Sequence, residues 1–125
     1  MTDPSDFAQC QSCLCLAARK EAQRLTRAYD ARLRPHGLTI HQFSMLTMLI
    51  LAGPLPMSAL AQRLGVERTT LTRNVTLSED RGLVAVKPGR DARERVVNIT
   101  KEGLEMAEAA LPAWRKAQAE AQAAA

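Results

Sequence analysis

Three thiols stand close together near the start of the chain: Cys10, Cys13 and Cys15 fall within six residues, and no cysteine follows them. A cysteine near a helix N-terminus with a cation one turn later, as Cys15 has Arg19, has its thiolate favoured by the dipole and by the charge. That is how a redox-sensing thiol is built. Within one helix Cys13 and Cys15 project to nearly opposite sides and cannot be joined without unwinding it. Cys10 and Cys13 lie nearer one face but are awkward to bridge, so a disulfide to a partner subunit is the easier pairing. The plainer role is packing, since free cysteine is among the most buried residue types and suits a dimer interface. Zinc suits the thiols least: Cys-x-x-Cys offers two ligands, a structural site wants four, and nothing directs His36 or His41 toward them. No metal site and no cofactor is expected, and one local cluster of cysteines cannot staple a fold.

The second group that carries chemistry is cationic. The chain has 13 Arg against 4 Lys and a formal charge of +4, and Arg is the side chain that suits bidentate contact with phosphate or guanine. Between Arg63 and Arg95 eight basic and five acidic side chains leave a surplus of three, most of the chain's total. Within that stretch Arg68, Thr69, Thr70, Thr72 and Arg73 form one polar run, and Arg90, Asp91, Arg93 and Arg95 another. Hydroxyl and guanidinium groups at this density suit the phosphates and base edges of duplex DNA. A solvated charged face is the commoner fate of any single Arg. It loses ground here because a short helix with a Gly turn, a polar helix and a basic hairpin follow one another directly. Aromatic residues make up only 3%, too few for a platform that stacks single-stranded bases. There is no Gly-rich phosphate loop, no Gly-x-Ser-x-Gly or Ser-x-x-Lys element, and no Cys with a His and Asn/Asp set, so an enzyme is not expected.

These groups need elements to position them. From Phe7 to Arg34 there is neither Gly nor Pro, and Leu14, Ala18, Leu25, Tyr29 and Leu33 recur at helical spacing. The pattern predicts one helix of roughly 40 Å at 1.5 Å per residue, long enough to overhang a small domain and need something to pack against. Pro35, His36 and Gly37 stop it, and Thr39 with Gln42 forms a capping box for a second helix that ends at Gly53-Pro54. Ser58 is expected to cap a short helix over Ala59–Leu64, with Gly65 as the turn residue. A further helix runs from Glu67 to Arg81, with Leu71 and Val75 facing inward. Two helices joined by a tight Gly turn, the second polar and Arg-bearing, read as a helix-turn-helix. Leu83 to Val86 and Val96 to Ile99 then predict a hairpin with a basic tip. Thr100 caps a last helix striped by Leu104, Ala107, Leu111, Trp114 and Ala117/Gln118, which Pro112 is expected to kink or divide.

A chain of 125 residues with 46% hydrophobic and 24% charged residues is one globular domain. Its strongest apolar run, Phe43 to Leu55, is interrupted by Ser44, Thr47, Gly53 and Pro54, so no membrane span is expected. The acidic start, Met-Thr-Asp-Pro-Ser-Asp-Phe, lacks a charged-then-apolar signal pattern, which predicts a cytoplasmic chain.

Several stretches carry a family resemblance: Tyr29-Asp30 with Leu33-Arg34-Pro35-His36-Gly37-Leu38-Thr39, Gln42-Phe43, Leu60-Ala61-Gln62-Arg63-Leu64 and Arg68-Thr69-Thr70-Leu71-Thr72-Arg73. Gly82-Leu83-Val84 and Asp91-Ala92-Arg93 leading to Asn98-Ile99-Thr100 complete the set. In order and spacing the chain resembles the MarR family of winged helix-turn-helix transcriptional regulators. The resemblance implies a mainly α fold with a small β-hairpin, a single domain over 1–125. Dimerisation helices are expected at 7–35 and 100–125, around a DNA-binding lobe at 39–99. It also implies a homodimer whose two recognition helices meet a pseudo-palindromic operator, acting as a repressor released by a small molecule or by cysteine oxidation. Arg93 would be the minor-groove probe of the wing and Asp91 its brace. Apart from the resemblance, His36 in its Pro-His-Gly turn is expected at the surface and His41 exposed or hydrogen-bonded, and either could line an effector pocket between the dimerisation helices and the lobe. Relative to the family the last helix stops early. A narrower resemblance, to the organic-peroxide-sensing branch, places the reactive cysteine on Cys15 and one of its tyrosine partners on Tyr29. Arg19 and Ile40 occupy the other two tyrosine positions. The competing class is a winged-helix protein-interaction module without specific DNA binding.

Overall fold

The computed structural model describes residues 3–125; residues 1 and 2, the start of the single domain expected over 1–125, lie outside the described residues. The chain opens with a 3-10 segment, Pro4–Ser12, capped by the Asp3 carboxylate, which accepts the Ser5 N–H at 2.9 Å. Cys13 then takes ψ 118°, and its thiol accepts the Leu16 N–H at 3.5 Å as the N-cap of α1, Leu14–Leu33. The unbroken helix expected from Phe7 to Arg34 is therefore overturned. No residue of the 3-10 segment is buried, so no apolar stripe carries one helical register across Cys13. The placement of Cys13 and Cys15 on opposite sides of one helix falls with it, because Cys13 lies outside the helix in which Cys15 is the second residue.

Helix α2, Ile40–Ala52, is the centre of the molecule and is apolar on most sides, burying Phe43, Met45, Leu46 and Leu49. The expected capping box forms: Thr39 Oγ1 accepts the Gln42 N–H at 3.2 Å, and Gln42 Oε1 accepts the Thr39 N–H at 3.0 Å. Asp30 Oδ1 of α1 accepts the Ile40 N–H at 2.7 Å and ties α1 to the start of α2. Next come β1 (Leu55–Pro56), α3 (Met57–Leu64), α4 (Arg68–Asp80), β2 (Val84–Pro88), β3 (Arg95–Ile99) and α5 (Lys101–Ala124). The sheet is antiparallel in the order β1-β3-β2, with Leu55 opposite Val97 and Val84 opposite Ile99. The predicted hairpin is thus joined by a third strand. Pro54 and Pro56 hid it, and a sheet edge is where a proline-bearing strand is tolerated.

Two further expectations are corrected. Helix α3 begins at Met57 with Pro56 as its N-cap at ψ 149°, so Ser58 is not the cap but lies inside the first turn. Pairing with Val96 already holds Pro56 extended, and it supplies the non-helical entry residue. Of the kink or division expected at Pro112, the division does not occur, and helix α5 runs on as one element. Pro112 and Glu108 are both exposed, so the proline stands on the outer side of the helix, where the lost Glu108 helix bond costs least. Thr100 caps α5 as expected, accepting the Gly103 N–H at 3.0 Å. Of the expected stripe, Ala107 and Ala117 are buried, Leu111 and Trp114 are partly buried, and Leu104 is exposed. One core, including Leu33, Leu46, Leu60, Leu71, Val75, Val97 and Ala110, joins every helix to the sheet.

Helices α1 and α5 lie side by side. The Tyr29 hydroxyl donates to Gln118 Oε1, and Arg32 grips Glu120 with two bonds of 2.7 and 2.5 Å. Hydrogen bonding to Arg32 holds the Glu120 carboxyl below its usual range and raises the guanidinium of Arg32.

Candidate nucleic-acid interface

Helices α3 and α4 meet at Gly65, which takes φ 66° as the C-cap of α3; its N–H and that of Val66 return to the carbonyls of the last turn. Such a left-handed residue is cheap only for glycine, and it allows the sharp exit that a helix-turn-helix needs. Leu71, Val75 and Ser78 pin α4 to the core, each no more than 2% exposed. That rotation leaves Arg68, Thr69, Thr70, Thr72 and Arg73 all exposed. The Thr72 hydroxyl donates to the Arg68 carbonyl at 2.8 Å, so toward a ligand it can act only as an acceptor. Helix α4 starts without a side-chain cap and with Arg68 as its first residue, where the dipole favours an anion. Its first N–H groups and a cation thus await a negative charge from outside.

The wing is the β2–β3 hairpin. The Gly89 N–H closes it on the Glu94 carbonyl at 2.8 Å, and the Glu94 N–H meets the Asp91 carbonyl at 2.9 Å. Asp91 Oδ1 accepts the Arg93 N–H at 3.1 Å, a local turn in which the carboxylate orders the backbone that carries Arg93. Arg90, Arg93 and Arg95 are exposed. Among the described residues ion pairs form only at Arg24–Glu21 and Arg32–Glu120, both outside the α4 and wing segments. None of the five arginines of α4 and the wing is held in a close ion pair among the described residues.

Those two groups share a surface. Arg68, Arg93 and Arg95 line one open cleft of about 240 Å³ with Asp91, Glu94 and the Pro56–Ser58 entry to α3. Ser58 was missed as a member of this face. The signal available was a serine two residues after Pro56, which reads equally well as a cap.

A model of the MarR family matches residues 36–94. A MarR family transcriptional regulator from Streptomyces coelicolor is 32% identical, with a TM-score of 0.73 over 85% of this chain and 76% of that one. The chain belongs to the MarR family. The transcriptional regulator MosR of M. tuberculosis, solved in complex with DNA, is 46% identical to this MarR-family chain, with a TM-score of 0.85 over 91% of it and 84% of MosR. The HTH-type transcriptional regulator YwoH of Bacillus subtilis is 34% identical over 83 residues, and the match spans 61% of YwoH. The MarR winged helix, anticipated from the motifs, is thus the fold of this chain.

The thiols lie elsewhere. Cys10, Cys13 and Cys15 are all exposed, as is Arg19. Cys15 and Tyr29 are fourteen residues apart on α1, about 21 Å at 1.5 Å per residue, and the Tyr29 hydroxyl is engaged by Gln118. The structure therefore does not bring Tyr29 to Cys15 within one chain. Among the described residues no three His, Cys, Asp or Glu side chains converge as a metal site, and no helix is long and apolar enough to cross a membrane. A cavity of about 340 Å³ between α1, α2 and α5 is lined by Leu25, Tyr29, Ile40, His41, Trp114 and Gln118. Trp114 also stacks on Phe43 with ring centroids 6.4 Å apart.

Proposed function

We propose that the chain is a homodimeric repressor that binds a pseudo-palindromic duplex, with the Arg68–Arg73 face of α4 in the major groove and the wing on the flanking minor groove. The observation that carries this reading is the shared cleft, in which Arg68 of α4 and Arg93 and Arg95 of the wing line one surface free of ion pairs. An arginine in a narrow minor groove gains from its enhanced negative potential, and Asp91 orders the backbone that presents Arg93. Arg73, Arg90 and the hydroxyls of Thr69 and Thr70 supply further phosphate or base contacts, and the Thr72 hydroxyl, already donating to the Arg68 carbonyl, can accept from a base amino group. The DNA in the MosR complex supports the same partner here.

Dimerisation through residues 7–35 and 100–125 leaves 39–99 as the DNA-binding lobe. Release comes from a small molecule in the His41-lined cavity or from oxidation of the exposed thiols around Cys15. Either signal must favour the non-binding state by several kcal/mol, since a ligand shifts an equilibrium only by its differential affinity. Gel shifts on a palindromic duplex test the reading. Binding should fall steeply with salt, and Arg93→Glu and Arg73→Glu should each weaken it. Unchanged affinity of both variants at moderate salt would refute the groove assignment, and salt-insensitive capture of a protein would favour an interaction module. An organic peroxide that leaves the gel shift unaltered removes the thiol route.

A further inference from the structure

Strand β2 lies at the edge of the sheet, so half of its N–H groups have no strand to meet. The Leu83 carbonyl and the Gly89 N–H pair toward β3, which gives Ala85 and Lys87 the same direction and turns Val84, Val86 and Pro88 outward. Pro88 has no N–H to satisfy. The Val86 N–H donates to Glu79 Oε2 at 3.3 Å, across from the recognition helix. Nothing on α4 itself explains a carboxylate there. Glu79 and Asp80 occupy the last turn, that turn holds no basic residue, and the dipole disfavours negative charge at that end. Among the described residues no ion pair involves Glu79.

We propose that Glu79 is a positioning residue that fixes the angle of the wing to the recognition helix, and with it the spacing between Arg93 and the Arg68–Arg73 face. This rests on the DNA-binding reading of those two surfaces. Val86 is the point at which this bond ties β2 to α4. Four residues separate it from Arg90, about 13 Å at 3.3 Å per residue, so a tilt of about 10° carries the tip by about 2 Å. That displacement exceeds the tolerance of a hydrogen bond. Asp91 orders the tip, whereas Glu79 holds the strand that carries it.

The test measures affinity for a duplex selected from a random pool by the wild-type protein, using Glu79→Ala and Glu79→Gln with and without Arg93→Ala. Glu79→Ala should weaken binding about tenfold when Arg93 is present and less than about twofold when it is absent, because coupled sites are not additive. Glu79→Gln keeps an acceptor oxygen and should stay within about threefold of wild type. Equal losses in both Arg93 backgrounds, with wild type binding normally, overturn the positioning role and leave the DNA reading intact. A wild-type protein that selects no duplex overturns both. Amide exchange in the free protein gives a second readout. Glu79→Ala should speed exchange at Val86 and not at Ala85, and an unchanged Val86 overturns the proposal whatever the DNA result.

Discussion

Gly103 is a close approach between α5 and the root of the wing, and replacing it with alanine tests the packing directly. A Cβ there would stand 2.1 Å from the Leu83 carbonyl oxygen and 3.0 Å from Ile99 Cγ1, the first more than 1 Å inside ordinary contact. The oxygen cannot retreat, because Leu83 is 2% exposed and its carbonyl also receives the Thr100 N–H at 3.1 Å. The helix must move instead, and the Thr100 cap on the Gly103 N–H moves with it. Overpacking of this kind costs about 1–3 kcal/mol and a disturbed N-cap about 1. Helix propensity returns about 1 kcal/mol for Gly to Ala. The net expectation is a loss of about 2 kcal/mol, or a fall in Tm on the order of 6–10 °C for a domain of this size. Thermal melts followed by circular dichroism at one protein concentration measure it, the concentration held fixed because oligomers melt by mass action. Ala109→Gly, on the exposed side of α5, is the control and should lose only about 1 kcal/mol. A Gly103→Ala protein that melts at or above wild type would mean that α5 does not approach the wing root this closely.

Two more outcomes follow from the same geometry. Asp91→Ala removes an exposed acceptor from the wing tip, so stability should stay within about 0.5 kcal/mol while duplex affinity falls about fivefold; a stability loss without an affinity loss contradicts the tip-ordering role. The Glu120 carboxyl lies below its ordinary value of 4.5 because Arg32 hydrogen-bonds it, so its contribution is present above that value and disappears as pH falls through the lowered one. Urea midpoints of wild type and Glu120→Gln should therefore differ at pH 7 and converge in acid, with a smaller gap in high salt because both groups are exposed. A gap that persists undiminished in acid would show that the pair contributes nothing.

What the sequence made legible was local chemistry. The Thr39–Gln42 box, the Thr100 cap and the Gly65 turn each depend on residues within four positions, and all three formed. The inward pair Leu71 and Val75 followed from helical spacing alone. The misreadings share a different cause. Cys13 breaks a stretch free of Gly and Pro because the preceding segment has nothing to bury, a fact about the surroundings that no propensity encodes. Strand β1 exists only because β3, about forty residues later, pairs with it. Pro112 reads as a breaker that could divide the helix, and it is accommodated on the exposed side of one continuous α5. The arginines of the site were readable from charge. That Arg68 and Arg93 share a cleft was not, since it depends on the angle between a helix and a hairpin.

The same geometry constrains how any signal from the thiols reaches the DNA-binding face. The polar bonds from α1 to the rest of the chain cluster at its C-terminal end: Asp30 on the Ile40 N–H, Tyr29 on Gln118 and Arg32 on Glu120. Leu33, the one buried residue of α1, is there too. Cys13 and Cys15 stand at the other end, with Cys15 fifteen residues from Asp30, about 22 Å along the helix. A rigid helix transmits displacement, not local chemistry, so the proposed oxidation of the thiols would have to act on α2 and α4 by moving α1 as a body or through the proposed second subunit. Cutting the far anchor should then uncouple the two ends. Asp30→Asn, which keeps an acceptor on the Ile40 N–H, would preserve the path, while Asp30→Ala would loosen it.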